Sequence, residues 1–286
     1  AADEAECRLV CFPWAGGSST LYRHWQDSLD TAALDAAGGP RCQVEVVPVE
    51  LPGRMSGIRH EPLPSMSRLA DDAALALLLS EFVRDRSVPY ALFGFSFGAI
   101  LAYEVCHRLC DKEFHAELSR ERPVQLFVCA EPPPHMPPVR HTAPVASLSS
   151  AALKAYLMAK ASGDPAVEAL FQSEVFELFE PVIRADYQCL DGYSTRSVQQ
   201  LQETHRLLPL PILAFGGSKD TVLLEELQQW QWHSAYPGVA GEHGESAVLL
   251  PGTHFFLEDA ENLGCVQRLL LHDLTQRTKE KGLRVA

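Results

Sequence analysis

Residues 89–110 read Pro89-Tyr90-Ala91-Leu92-Phe93-Gly94-Phe95-Ser96-Phe97-Gly98-Ala99-Ile100-Leu101-Ala102-Tyr103-Glu104-Val105-Cys106-His107-Arg108-Leu109-Cys110. The first seven are a short apolar run, as expected of a strand buried on both faces. From Gly98 onward the composition is that of a helix. Between them stands Gly94-x-Ser96-x-Gly98, a pattern short enough to arise by chance, so its flanks carry the weight. A strand entering and a helix leaving make it a nucleophile elbow. The two glycines let a tight turn pass close to neighbouring chain. The turn lifts the Ser96 hydroxyl clear of the sheet at a helix N-terminus, where the dipole and free N–H groups favour a developing anion.

The same rhythm runs outward. Residues 8–14, 42–50 and 124–130 read as strands, and 22–37 and 67–86 as helices. After the proline-rich connection 131–138 the rhythm breaks. Residues 148–193 are predicted helical, with stops at Gly163-Asp164-Pro165 and before Pro181. Strand signals return at 211–215 and 247–250, each followed by a helix, to about 233 and 279. The tail from Arg277 is expected to fray. Alternating strands and helices predict a mostly parallel sheet covered on both faces. The division expected is a core of residues 1–140 and 205–286 with a helical lid at 141–204. A lid controls access to a buried site. Its apolar residues, among them Leu153, Leu157, Leu170, Phe171, Phe176 and Phe179, are read as acyl-pocket lining or lid core.

Composition narrows the function. The 286 residues carry a net charge of −13 and are 47% hydrophobic, which fits a globular chain. Scattered, outnumbered basic residues argue against nucleic acid. No apolar run reaches the ~18 residues of a membrane span, and the acidic N-terminus lacks a signal-peptide pattern. Eight cysteines without a Cys-x-x-Cys pair read as reduced core residues of a cytoplasmic protein. Cys106, His107 and Cys110 lack zinc-site spacing, so no metal is expected.

A serine nucleophile needs a base and a group to orient it, following in the order Ser, Asp or Glu, His. The base predicted is His254, just past the last strand. His135, His205, His233, His243 and His272 are less well placed. The acid predicted is Asp220, in the glycine-rich loop after the penultimate strand; Asp186 and Asp191 are rivals inside the helical segment, and Glu225 and Glu226 read as solvated. The oxyanion donors expected are the N–H of Phe97 and that of Ala15 or a neighbour. Residues 15–19 do not form a phosphate loop, because no Gly-Lys-Ser/Thr follows.

These segments together resemble the type II thioesterases of polyketide, nonribosomal peptide and fatty-acid synthesis, members of the α/β-hydrolase superfamily. The resemblance covers nearly the whole chain. It rests on residues 12–17, Leu51-Pro52-Gly53-Arg54, 93–104, Pro133-Pro134-His135, Arg184-Ala185-Asp186-Tyr187 with Tyr193, Phe215-Gly216-Gly217 with Asp220, and His254-Phe255-Phe256-Leu257. It implies an α/β-hydrolase fold and hydrolysis of acyl thioesters on the phosphopantetheine arm of an acyl carrier protein, for editing or fatty-acid release. It implies Ser96 as nucleophile, His254 as base and Asp220 as its orienter, with no cofactor. Trp14, Phe95, Arg54 and Phe255 become candidate substrate contacts; Arg54 has a structural reading as well. Phe95, Phe97 and Thr253 stand where the family commonly has His, Met and Gly, and 111–123 and 237–246 look longer than its norm. Carriers are usually acidic, so docking calls for a basic patch, and Arg54, Arg59, Arg140, His141 and Arg184 are the candidates. A carboxylesterase or lipase, an acyltransferase, and a non-catalytic binding protein are the alternatives.

Overall fold

The computed structural model describes residues 5–34, 42–80, 88–114, 122–136, 144–161, 165–193, 198–204, 206–237, 241 and 244–285. Arg140, His141, His205 and His243 lie outside them. Among the described residues six strands form one sheet: β1 Cys7–Phe12, β2 Val44–Pro48, β3 Tyr90–Phe95, β4 Leu126–Cys129, β5 Ile212–Gly217 and β6 Ala247–Leu250. Their order is β2-β1-β3-β4-β5-β6, and every neighbouring pair is parallel.

The strands read as unbroken apolar runs because both faces are covered. On one face Leu9, Cys11, Phe93, Phe95, Phe127, Cys129, Leu213 and Phe215 meet Trp25 and Leu29 of α1 (Trp25–Leu34) and Leu270, Leu271 and Leu274 of the C-terminal helix. On the other Val10, Phe12, Leu92, Val128 and Ala214 meet α2 (Met66–Leu79) and α3 (Phe97–Cys110). The chain leaves β1 towards β2 and then returns past β1 to β3. Right-handed crossovers in opposite directions put α1 and α2 on opposite faces. The loops after β1 and β3 therefore flank the point where strand order reverses, the usual ligand crevice of an open parallel sheet.

Between β4 and β5 run α4 (Ser150–Lys160), α5 (Pro165–Gln172), α6 (Phe176–Asp191) and α7 (Val198–Glu203). Leu153, Leu157, Phe171, Phe176, Ile183 and Tyr187 join the core on the α1 face. Three expectations need correction. Pro181 does not stop a helix; it lies inside α6. One lost backbone bond, about 3 kcal/mol, is outweighed by a face that buries Val182, Ile183, Ala185, Asp186, Tyr187 and Cys189. After β5 the helix is brief, α8 (Leu224–Leu227), and continues as a 3-10 turn over Gln228–His233 with Trp230 fully buried. The last helix, α9 (Ala260–Val285), does not fray at Arg277, which pairs with Glu280 and donates to Gln125.

Candidate active site

Ser96 follows β3 with φ 54° and ψ −120°. That conformation is strained for a non-glycine residue, by about 1–3 kcal/mol, and survives only where its surroundings dictate it. They do so here. A Cβ on Gly94 would lie 2.1 Å from the carbonyl oxygen of Gly98, and one on Gly98 would lie 2.4 Å from that of Phe12 and 2.5 Å from that of Pro13. The elbow is thus pressed against the loop that leaves β1. The Ser96 N–H donates to the Cys129 carbonyl at 2.7 Å, and its own carbonyl accepts from Ala99 at 2.7 Å.

Asp220 and His254 follow the last two strands, β5 and β6. A Cβ on Gly217, at the end of β5, would fall 2.1 Å from the Thr253 carbonyl oxygen, so the acid loop lies flat against the base loop. Ser218 and Lys219 N–H donate to the Leu250 and Gly252 carbonyls, both at 2.7 Å. Asn262 braces the base loop from below, donating to the carbonyls of Pro251 and Phe256. The outcome is a chain of three side chains: His254 Nδ1 lies 2.8 Å from Asp220 Oδ2, and His254 Nε2 lies 3.0 Å from Ser96 Oγ. An ionised carboxylate only accepts, so Nδ1 carries the proton and Nε2 is left to accept from the Ser96 hydroxyl.

The electrostatics suit that tautomer. Burial holds the His254 pKa below its usual value, the positive charge of Lys160 adds to the effect, and Asp220 opposes both. Burial would raise Asp220, but His254, Lys160 and the Thr221 N–H bring it below the ordinary carboxylate range. Asp220 is therefore ionised and His254 neutral at neutral pH.

Of the other acids proposed from sequence, Asp191 accepts from the Ala146 N–H at 2.9 Å. Asp186 is pushed up to about 6 by burial, against the pull of Arg54 and of the Gly16 N–H. His135 and His233 make a separate chain: His135 Nδ1 is 2.7 Å from His233 Nε2, and His233 Nδ1 is 2.8 Å from the Tyr103 hydroxyl. Burial, with His135 and His107 beside it, lowers His233 to about 3. That chain borders a groove of about 1120 Å³ beside α3, which Tyr103 and His233 line and Ser96, Asp220 and His254 do not.

An aromatic wall flanks Ser96. Trp14 lies 5.1 Å from Phe95 and from Phe255, ring centre to ring centre, Phe95 faces the His254 ring at 5.8 Å, and Phe171 from α5 approaches Phe255 at 6.5 Å. Leu170, its neighbour, is 47% exposed and does not belong to this lining. Successive residues of a helix point about 100° apart, so one of the pair faces out. Arg54 is not a surface contact either. It is 3% exposed and pairs with Asp186, Nη2 to Oδ1 at 2.6 Å. Arg184 is bound to Glu180 and to the carbonyls of Ala146 and Leu148. Of the described members of the expected basic patch only Arg59 is exposed.

Two charged groups at the site escaped the sequence reading. Ala130, with φ 54°, turns the chain after β4 so that Glu131 Oε2 comes within 3.5 Å of Ser96 Oγ. Burial raises the Glu131 pKa, and Asp220 adds to it, against Lys160 and the Ser96 hydroxyl. Burial would lower Lys160, at the end of α4, but Tyr156, Glu131 and Asp220 hold it above its ordinary value. The available signal was a lone acid directly after a predicted strand, at the same rim as Ser96; for Lys160 there was none.

Residues 7–273 match the thioesterase domain family. The structure is similar to RedJ, a thioesterase from the prodiginine biosynthetic pathway in Streptomyces coelicolor, with a TM-score of 0.73 and 31% identity over 96% of this chain and 87% of RedJ. It is also similar to BorB, the type II thioesterase from the borrelidin biosynthetic cluster, with a TM-score of 0.69 and 28% identity over 94% of this chain and 92% of BorB. The medium-chain S-acyl fatty acid synthase thioesterase of Homo sapiens is 28% identical over 271 residues, 94% of this chain and 87% of its own length. With a parallel sheet of that topology and a serine, a histidine and an aspartate in register at its rim, the chain belongs to the thioesterase domain family of α/β-hydrolases, enzymes that cleave acyl thioesters.

Proposed function

We propose that this chain is a serine thioesterase acting on acyl groups held by the phosphopantetheine arm of a carrier protein, as a type II enzyme of polyketide, nonribosomal peptide or fatty-acid synthesis. The observation that carries the mechanism is the Ser96–His254–Asp220 chain, 3.0 and 2.8 Å long. Ser96 Oγ attacks the thioester carbonyl carbon as its proton passes to His254 Nε2. Asp220 holds the imidazole in the required tautomer and stabilises the cation formed. The N–H groups of Phe97 and Ala15 receive the carbonyl oxygen as it becomes negative. Phe97 opens α3, where N–H groups lack intrahelical acceptors.

Collapse breaks the C–S bond, and the thiol leaves with the proton from His254. Water then attacks the acyl-serine, His254 takes its proton, and the released serine regains one. Every step uses side chains, backbone N–H groups and water. The Trp14, Phe95, Phe255 and Phe171 rings offer an apolar wall for the acyl chain, beneath a helical segment that acts as a lid. Similarity to a prodiginine-pathway enzyme and to a medium-chain fatty acid synthase thioesterase supports carrier-bound acyl groups as substrate, for editing or for product release.

The test is thiol release from acyl thioesters of graded chain length, free and carrier-bound, against oxygen esters of the same chains, with Ser96→Ala as control. Thioesters are expected to be cleaved in preference, and turnover to vanish in the control. Equal or faster cleavage of oxygen esters would favour an esterase; folded protein silent on every ester would overturn the catalytic reading.

A further inference from the structure

The loop that leaves β1 is held from two directions. Within it, the Gly17 N–H donates to the Trp14 carbonyl at 2.9 Å, closing a turn with Gly16 at its third position and φ +78°. That bond fixes the plane of the Trp14–Ala15 peptide, and in a trans peptide the Ala15 N–H must point the opposite way from the Trp14 carbonyl. The other contacts come from outside. Asp186 Oδ2, on α6, accepts from the Gly16 N–H at 2.7 Å. Arg54 Nη1 donates to the Gly17 carbonyl at 3.0 Å and to the same Asp186 Oδ2 at 3.1 Å, and Nη2 donates to Asp186 Oδ1 at 2.6 Å. One turn of helix before Asp186, Ile183 packs so close that a Cβ on Gly16 would meet its Cγ1 at 2.3 Å. Arg54 and Asp186 are 3% and 1% exposed, so water does not compete for these bonds.

We infer that Asp186, clamped by Arg54, is a positioning residue of the oxyanion hole, through which the helical insertion sets the orientation of the Ala15 N–H. Rotation of the Ala15–Gly16 peptide would swing the Gly16 N–H away from the turn's present form, and a buried carboxylate that accepts this N–H selects one rotamer of that peptide. Arg54 holds the carboxylate in place and fixes the far end of the turn. Pro-Gly-Arg, the insertion helix and the glycine loop, three separate stretches of sequence, meet at one turn: they hold its Gly16 N–H and Gly17 carbonyl, and the same turn holds the Trp14–Ala15 peptide that carries the Ala15 N–H. The inference rests on the reading that Ala15 donates to the oxyanion.

Asp186→Asn and Arg54→Lys test it, each keeping a polar group of similar size. Two affinities are compared with kcat/KM. An alkyl trifluoromethyl ketone, to whose carbonyl Ser96 adds, places an oxyanion in the hole; an S-alkyl pantetheine thioether of the same chain length binds without one. Loss of a whole oxyanion donor costs about 10²–10³ in rate, so a misaimed donor is expected to lower kcat/KM about 10- to 100-fold. The ketone should weaken by the same factor, and the thioether should stay within about twofold, within the scatter of a truly unaffected site. Ile183→Ala, which spares the ion pair, should lower the melting temperature without changing the ratio of the two affinities. If Asp186→Asn fails to fold, Asp186→Glu keeps the charge and moves the carboxylate by one methylene. Equal weakening of ketone and thioether, or a lower melting temperature with turnover per folded molecule intact, would overturn the inference. Wild-type protein that neither cleaves thioesters nor binds the ketone would instead overturn the proposed function.

Discussion

The rim of the sheet and the helical insertion over it are built differently. At the rim, backbone meets backbone: Gly94 on Gly98, Gly98 on Phe12 and Pro13, Gly217 on Thr253. The strands fix these contacts, and Ser96, Asp220 and His254 inherit their positions from them. The insertion reaches the site through side chains: Asp186 on Gly16, Ile183 on the same glycine, Phe171 near Phe255, Lys160 among Glu131 and Asp220. A backbone contact has almost no freedom to relax, whereas side chains can repack or let go. The place of Ser96 is therefore rigid, and the features that tune it are adjustable.

Substitutions can break that contrast, the largest effects falling at the rim. Ser96→Ala is expected to lower kcat by about 10⁶ and Asp220→Asn by about 10⁴, measured as thiol release with melting temperatures unchanged within a few degrees. If Asp220→Asn retained near-full rate, the acid would have to be sought elsewhere, with Glu131 next in line.

Gly98→Ala and Gly16→Ala sharpen the contrast directly. The first drives a methyl group into two carbonyl oxygens and is expected to cost more than about 3 kcal/mol, beyond ordinary overpacking. The second meets the Ile183 side chain, which can turn, and a left-handed φ, for about 1–2 kcal/mol. Denaturant midpoints of the two variants check this; a Gly16→Ala loss equal to that of Gly98→Ala would erase the distinction. Phe171→Ala should raise KM for long acyl chains more than for short ones, by about tenfold for a lost contact of 1–2 kcal/mol.

The smallest effect concerns pH. His254 must be neutral to take the serine proton, and its burial and Lys160 lower its pKa. The acid limb of kcat/KM is therefore expected below the pH of about 6.5 typical of an exposed histidine. Lys160→Met removes a charge that disfavours the imidazolium, so the limb should move to higher pH, by less than about one unit for one partly screened charge. A shift to lower pH would show that Lys160 acts on the site by another route.

Much of the site was legible because the core's chemistry is local. A strand, a glycine-bounded serine and a helix are contiguous in residues 90–110, and Asp220 and His254 each follow a recognisable strand. The helical insertion was legible as helix, since its residues are apolar at helical spacing, but not in detail. Pro181 reads as a stop, and only the buried face of α6 shows why it is not one. Arg54 reads equally well as a surface contact or a structural residue, because a charged side chain announces nothing about its partner 132 residues away.

The amino-acid sequence by itself determined the alternation of strands and helices, the glycines that a sharp turn requires, and the order Ser96, Asp220, His254. These follow from periodicity and from the sterics of neighbouring residues. The tertiary structure alone decided that Asp186 serves the glycine loop rather than His254, that Arg54 and Arg184 are engaged inside the molecule, that Glu131 comes beside Ser96, and that Lys160 lies near Asp220 and His254. Such pairings depend on where distant segments come to rest, and on burial that strips water from a charge and leaves it to find its partner within the fold.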